Sequence, residues 1–135
     1  KQAILVGSVS RHGADRNHRA IGGLSRGAGW ALRLGLTRWE LFGHIGLHSL
    51  AVLDTDGSYM EMWLEKIPSS AYPTIYMDIG KSDAELGRAK LVEGSFTKYQ
   101  IPHEIHIYAG EHTEEYWSSH IAEYIQWYAD EWNNQ

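Results

Sequence analysis

The 135-residue chain contains no cysteine. That absence excludes disulfides, thiolate metal ligands and a cysteine nucleophile, and leaves the redox compartment open. No apolar stretch approaches the roughly 20 residues that span a bilayer, so no membrane partner is expected. Excess positive charge is missing too: 12 Lys and Arg stand against 17 Asp and Glu, a formal net charge of -5. Binding to a phosphate backbone relies on a basic surface, which argues against a nucleic-acid partner. Gly22-Gly23 fits neither the G-x-x-x-x-G-K-[ST] nor the G-x-G-x-x-G phosphate loop, and the pairs His44/His48 and His103/His106 lack the H-E-x-x-H signature. Neither a metal nor a cofactor is expected. Internal repeats, low-complexity tracts and linkers are also absent, so residues 1–135 are expected to form one domain. The first residue is Lys1 and no signal peptide is visible, an opening that suits a mature secreted protein, a cleaved chain or a fragment.

What the chain has in quantity is aromatic surface, with six Trp and eight Tyr against two Phe. Five of them lie between Tyr116 and Tyr128. A sugar- or aryl-binding platform would use such residues, but burial is their commoner employment, and core and helix packing is the expected role.

Ala3 to Val6 is a short apolar run that suits a strand or the end of a buried helix. Ser10 to Arg19 is polar and reads as a loop. Ala20 to Gly22 makes a short strand, and Arg26 to Leu36 a helix with Ala28, Leu32 and Leu36 on one face. A buried strand is expected within Leu41 to Leu50 and a short helix from Met60 to Lys66, ended before Pro68. Thr74 to Ile79 is β-rich and follows Pro73. Leu86, Ala89, Val92, Phe96 and Tyr99 mark an amphipathic helix, with Gly94 as a weak point. His103 to Tyr108 alternates as a strand, and Trp117, Ile121, Tyr124, Tyr128 and Trp132 form the apolar stripe of a long final helix. This alternation predicts an α/β fold, three layers α/β/α around a mainly parallel sheet. Ligands in such folds bind beyond the carboxyl ends of the strands.

Gly23-Leu24-Ser25-Arg26-Gly27 lies between a strand and a helix, the context a nucleophile elbow requires. Asp83 follows the Thr74 strand and His112 the His103 strand. The order Ser, Asp, His at three strand ends suits a hydrolase triad: imidazole takes the serine proton, and the carboxylate fixes the imidazole tautomer. Each residue has a plainer alternative. The glycines could form a turn without chemistry, Asp83 could be an N-cap, and His112 could cap or solvate a loop. Asp78 lies within its strand and is expected to face a neighbour. His48 and Ser49 end a strand expected to face the site.

The run Arg19 to Leu32 resembles the nucleophile region of the putative-esterase family of α/β-hydrolases, the group related to esterase D, feruloyl esterases and enterochelin esterases. Leu41-Phe42-Gly43 with His48-Ser49 is similar to that family's next strand, Asp78 to Asp83 to its acid loop, and Tyr108 to His112 followed by Trp117 to its histidine loop. The resemblance covers about Arg19 to Trp132 and implies a partial α/β-hydrolase fold, catalytic Ser25, Asp83 and His112, and oxyanion or substrate-binding roles for Leu24, Arg26, His48, Ser49 and Trp117. Complete members have a further N-terminal portion with the first strands and a second oxyanion donor; here Arg26 N–H would be one donor and the other is not encoded. The elbow strand is then expected near an exposed edge, with a homo-oligomer, or association with the missing N-terminal part, covering it. The expected activity is a serine carboxylesterase for short-acyl or aryl esters, since the Leu53 to Tyr72 insertion is too short for a large lid. The alternative is a hydrolase-like binding module with weak or no catalysis.

Overall fold

The computed structural model describes residues 3–8 and 15–133. The chain runs β1 (Ala3–Ser8), β2 (Arg19–Leu24), α1 (Arg26–Thr37), β3 (His44–His48), α2 (Met60–Glu65), β4 (Thr74–Gly80), α3 (Leu86–Lys98), β5 (His103–Tyr108) and α4 (Glu114–Asn133). The five strands lie side by side in chain order. β2 to β5 are parallel, with Gly22 opposite Gly46, Gly46 opposite Tyr76 and Tyr76 opposite Glu104. β1 joins antiparallel, Ala3 opposite Leu24 and Ser8 opposite Arg19.

That pairing corrects the expected position of the elbow strand. Ala3 to Val6 belongs to a strand that covers the outer side of β2, so among the described residues β1 forms the edge on that side and β2 lies one strand in. The expected polar loop falls partly on residues 9–14, which lie outside the described residues; Arg16–His18 is a 3₁₀ turn. Arg16 ties this turn down, donating to the carbonyls of Trp39 (3.0 Å), Phe42 (2.8 Å) and Ala71 (3.0 Å).

Four parallel strands that step in one direction, joined by right-handed crossovers, put their connecting helices on one face. The side chains agree. Ile21, Ile45, Leu47, Ile75, Met77 and Ile79 point from the strands into the core made with Ala28, Leu32, Leu36, Leu64 and Phe96 of α1 to α3. The alternate residues point at α4 on the other face, and there the layer is polar and aromatic. His44, His48, Tyr76 and Asp78 meet Tyr124, Trp127 and Tyr128. A Cβ at Gly22 or Gly46 would stand 1.8 Å from the Tyr128 hydroxyl, so the helix can lie this close only over glycines.

The buried stripe of α4 therefore differs from the one expected. Tyr116, Trp117 and Tyr124 are buried, whereas Ile121 is 39% exposed and Ile125 59% exposed. The sheet face beneath carries histidines and a carboxylate, which phenols satisfy and isoleucines cannot. α3 runs through Gly94 without interruption.

Candidate active site

β2 ends at Leu24, and Ser25 turns the chain into α1 at φ 58° and ψ -122°. A non-glycine residue at such an angle is sterically costly and is retained where neighbours hold it. Here the Ser25 N–H donates to the His48 carbonyl (2.9 Å), and the Ser25 carbonyl accepts from Ala28, Gly29 and Ala51 N–H at 3.0, 3.2 and 3.2 Å. The strained turn is thus bolted to β3 and α1. It projects Oγ to 2.7 Å from Nε2 of His112.

On the other side of the imidazole, Nδ1 lies 2.7 Å from Asp83 Oδ2. The Asp83 side chain is fully buried and that of His112 is 32% exposed. Asp83 Oδ1 accepts the Glu85 N–H at 2.8 Å, which fixes the carboxylate plane at the start of α3. The acid loop and the histidine loop are joined by backbone: Lys81 N–H donates to the Tyr108 carbonyl (2.7 Å) and Ser82 N–H to the Gly110 carbonyl (2.9 Å). Gly80 sits so close to Gly110 that a Cβ would be 2.4 Å from its carbonyl oxygen. With Nδ1 protonated toward Asp83, Nε2 is left to accept the Ser25 proton, the arrangement general-base activation needs.

The remaining expected site residues divide. Arg26 occupies the first turn of α1, where a backbone N–H has no intrahelical acceptor and can serve an oxyanion. Its side chain is exposed and lines a cavity of about 520 Å³ beside the elbow, with Trp30, Val52, Leu53, Glu85 and Arg88. Arg33 also borders this cavity, its guanidinium 4.7 Å above the Trp30 ring and paired to Asp56 through two 2.9 Å hydrogen bonds. Leu24 is half-buried at the end of β2. Trp117 and Ser49 are buried and meet each other, indole N–H to Oγ at 2.8 Å, and the Trp117 ring stands edge-on to His112 at 5.2 Å. They back the histidine and do not line the cavity.

His48 does not face the opening. Its side chain turns to the α4 face, where Nδ1 lies 2.8 Å from Asp78 Oδ1 and Nε2 2.8 Å from the Tyr128 hydroxyl, with Tyr124 stacked at 3.7 Å. Strand alternation decides this, since His48 shares its face with His44 and Gly46. Asp78 is a core residue, as its mid-strand position suggests. The residues that sequence reasoning missed are the cavity walls and Tyr116; Trp30, one turn beyond Arg26, carried the only signal, as an exposed aromatic beside the elbow. Among the described residues no group of three or more His, Asp or Glu could hold a metal ion, and no helix is long and apolar enough to cross a membrane.

A mainly parallel α/β sheet with a strained serine turn at the end of one strand and a carboxylate and histidine just past the ends of two others defines a partial α/β-hydrolase fold. The chain belongs to the Putative esterase family, which it matches over residues 5–128. No curated protein matches it significantly. Among solved structures it is similar to a ferulic acid esterase (20% identity, TM-score 0.73, covering 87% of this chain and 53% of that one). It is also similar to FphF, a fluorophosphonate-binding serine hydrolase of Staphylococcus aureus (17%, 0.68, 85% and 55%), and to SOBER1 of Arabidopsis thaliana (23%, 0.66, 90% and 56%). The chain spans about half the length of these structures. It is thereby related to serine hydrolases and esterases.

Proposed function

We propose that this chain carries the nucleophile, base and acid of a serine carboxylesterase for short-acyl or aryl esters. The observation that supports it most is the unbroken relay on the strained elbow, Ser25 Oγ to His112 Nε2 at 2.7 Å and His112 Nδ1 to Asp83 Oδ2 at 2.7 Å. Ser25 Oγ attacks the ester carbonyl as its proton passes to Nε2. The tetrahedral oxyanion forms opposite the Arg26 N–H, and collapse expels the alcohol, which takes the proton from the imidazolium. Water, deprotonated by His112, then releases the acid and restores Ser25. The cavity beside Arg26, walled by Val52, Leu53 and Trp30, would receive the acyl or aryl group. Among the described residues the Arg26 N–H is the donor assigned to the oxyanion, and a second, from a partner copy or further polypeptide, would complete the hole. Missing one donor costs about 10²- to 10³-fold in turnover, so slow hydrolysis with clear covalent labelling is the expected combination.

The test is a fluorophosphonate probe followed by peptide mass spectrometry, with p-nitrophenyl acetate turnover alongside. The adduct is expected on Ser25 and should vanish in Ser25→Ala with the fold retained. An adduct on Ser49 or Ser82, or no adduct on a folded chain, would overturn the proposal in favour of a binding module.

A further inference from the structure

Asp78 is 1% exposed at the middle of the sheet and takes no part in the relay. Its Oδ2 accepts two phenol protons from α4, Tyr116 at 2.8 Å and Tyr124 at 2.5 Å, and its Oδ1 lies 2.8 Å from His48 Nδ1. A buried carboxylate is tolerated when its lone pairs are met in this way. Burial first, and the Asp78 charge second, push both phenols far above their ordinary range, so they remain donors at any physiological pH.

The two tyrosines make the same bond to the same oxygen, yet their surroundings differ. The Tyr116 ring packs on Gly110, which holds φ +140° and where a Cβ would come within 2.6 Å of Tyr116 Cδ2. Gly110 precedes His112 by two residues and receives the Ser82 N–H from the acid loop. Tyr116 N–H reaches Thr113 Oγ1 at 3.2 Å, on the other side of His112, and the next residue is Trp117, edge-on to the imidazole. Tyr124 lies two turns further along α4, stacked on His48 and away from this loop.

Building on the esterase reading, we infer that Tyr116, anchored by Asp78, is a positioning residue that sets the histidine loop so that His112 meets Ser25 and Asp83 together. α4 is more than a cover for the sheet: its first turn is a jig for the base. Asp78, although on the strand that leads straight into the acid loop, acts through this phenol and not on the imidazole.

The experiment compares Tyr116→Phe with Tyr124→Phe. Each removes one hydroxyl from Asp78 Oδ2 and keeps the ring, so both should lose similar thermal stability. Fluorophosphonate labelling of Ser25 should slow by about tenfold in Tyr116→Phe and by less than about twofold in Tyr124→Phe, the size expected when a reacting group drifts by a fraction of an ångström. In parallel, the proton NMR resonance of the His112 Nδ1–H, assigned by its loss in His112→Gln, should broaden or shift in Tyr116→Phe only. Gly110→Ala, which presses a Cβ against the same ring and strains the loop backbone at φ +140°, should reproduce both changes, and serves if Tyr116→Phe folds poorly. Equal effects of the two phenylalanine variants on labelling and on the resonance would overturn the inference, as would an unperturbed His112 signal in Tyr116→Phe and Gly110→Ala. If the unmodified protein is not labelled, the esterase reading fails by itself. The resonance still reports whether Tyr116 holds His112.

Discussion

Gly80→Ala is the sharpest probe of how the loops carrying Asp83 and His112 are held together. The new Cβ would stand 2.4 Å from the Gly110 carbonyl oxygen, 2.6 Å from its carbon and 3.0 Å from the Glu111 nitrogen, all of them backbone atoms. No side-chain rotation can relieve that contact. Restoring an ordinary separation of 3.4 Å requires about 1 Å of movement between the end of β4 and the histidine loop. Overpacking of this kind costs about 1–3 kcal/mol, which for a domain of this size lowers the melting temperature by about 3–12 °C. The same displacement falls on two hydrogen bonds of 2.7 Å, and a misplacement of 1 Å can lower a rate by about 10²-fold. Thermal unfolding by circular dichroism and the rate of fluorophosphonate labelling, measured below the new melting temperature, give both quantities. A variant that melts within about 1 °C of the parent and labels at an unchanged rate would show that β4 and the histidine loop are not in contact as described.

Three other outcomes are expected. Asp83→Asn should slow labelling and turnover by about 10³- to 10⁴-fold, because an amide leaves the imidazole in the wrong tautomer; inactivation by Asp78→Asn with a mild Asp83→Asn, in chains of equal stability, would place the acid elsewhere. Burial holds His44 below the ordinary histidine value of 6.5, outweighing the hydrogen bond to the Asn17 carbonyl at 2.8 Å and the nearby Glu131 charge, which both favour the charged ring, so below that value there is a window in which the native ring is neutral while the unfolded ring takes a proton. Its contribution is intact above that unfolded value and is lost as pH falls from there toward the depressed native one; urea midpoints at several pH values should drop across that window, and less so in His44→Gln, with identical slopes refuting the assignment. Among the described residues nothing pairs with the outer side of β1, and an open edge invites pairing, so association with a second copy or with further polypeptide is proposed. Light scattering across a dilution series, run with an activity assay, should show activity falling as the assembly dissociates, and a monomer of constant specific activity would refute it.

That Ser25, Asp83 and His112 come together was legible because each sits in a local pattern: glycines around Ser25, and Asp83 and His112 just past β-rich runs. What stayed hidden depends on which way a strand side chain points. His48 adjoins Ser49 in sequence, yet a one-residue alternation carries its ring to the opposite face of the sheet. The stripe of α4 was misplaced for a related reason. Hydropathy picks out Ile121 and passes over Tyr116, whereas burial follows hydrogen-bond partners that lie elsewhere in the chain. Arg16 looked like one more polar loop residue, and only the fold brings it to three carbonyls from two distant segments.

The unpermuted strand order has a consequence for how competence is gained as the chain folds. Each parallel pair can close through a connection of local length, but the bond from Ser25 to His112 closes a separation of 87 residues. Closure entropy grows with that length, and α4, which begins two residues after His112, packs back over β2 and β3. Secondary structure can therefore be complete while the serine is still inert. In a refolding time course the far-ultraviolet signal should recover no later than fluorophosphonate reactivity, and reactivity should track the burial of Trp117. Reactivity that outran Trp117 fluorescence would mean that the relay assembles without its final helix.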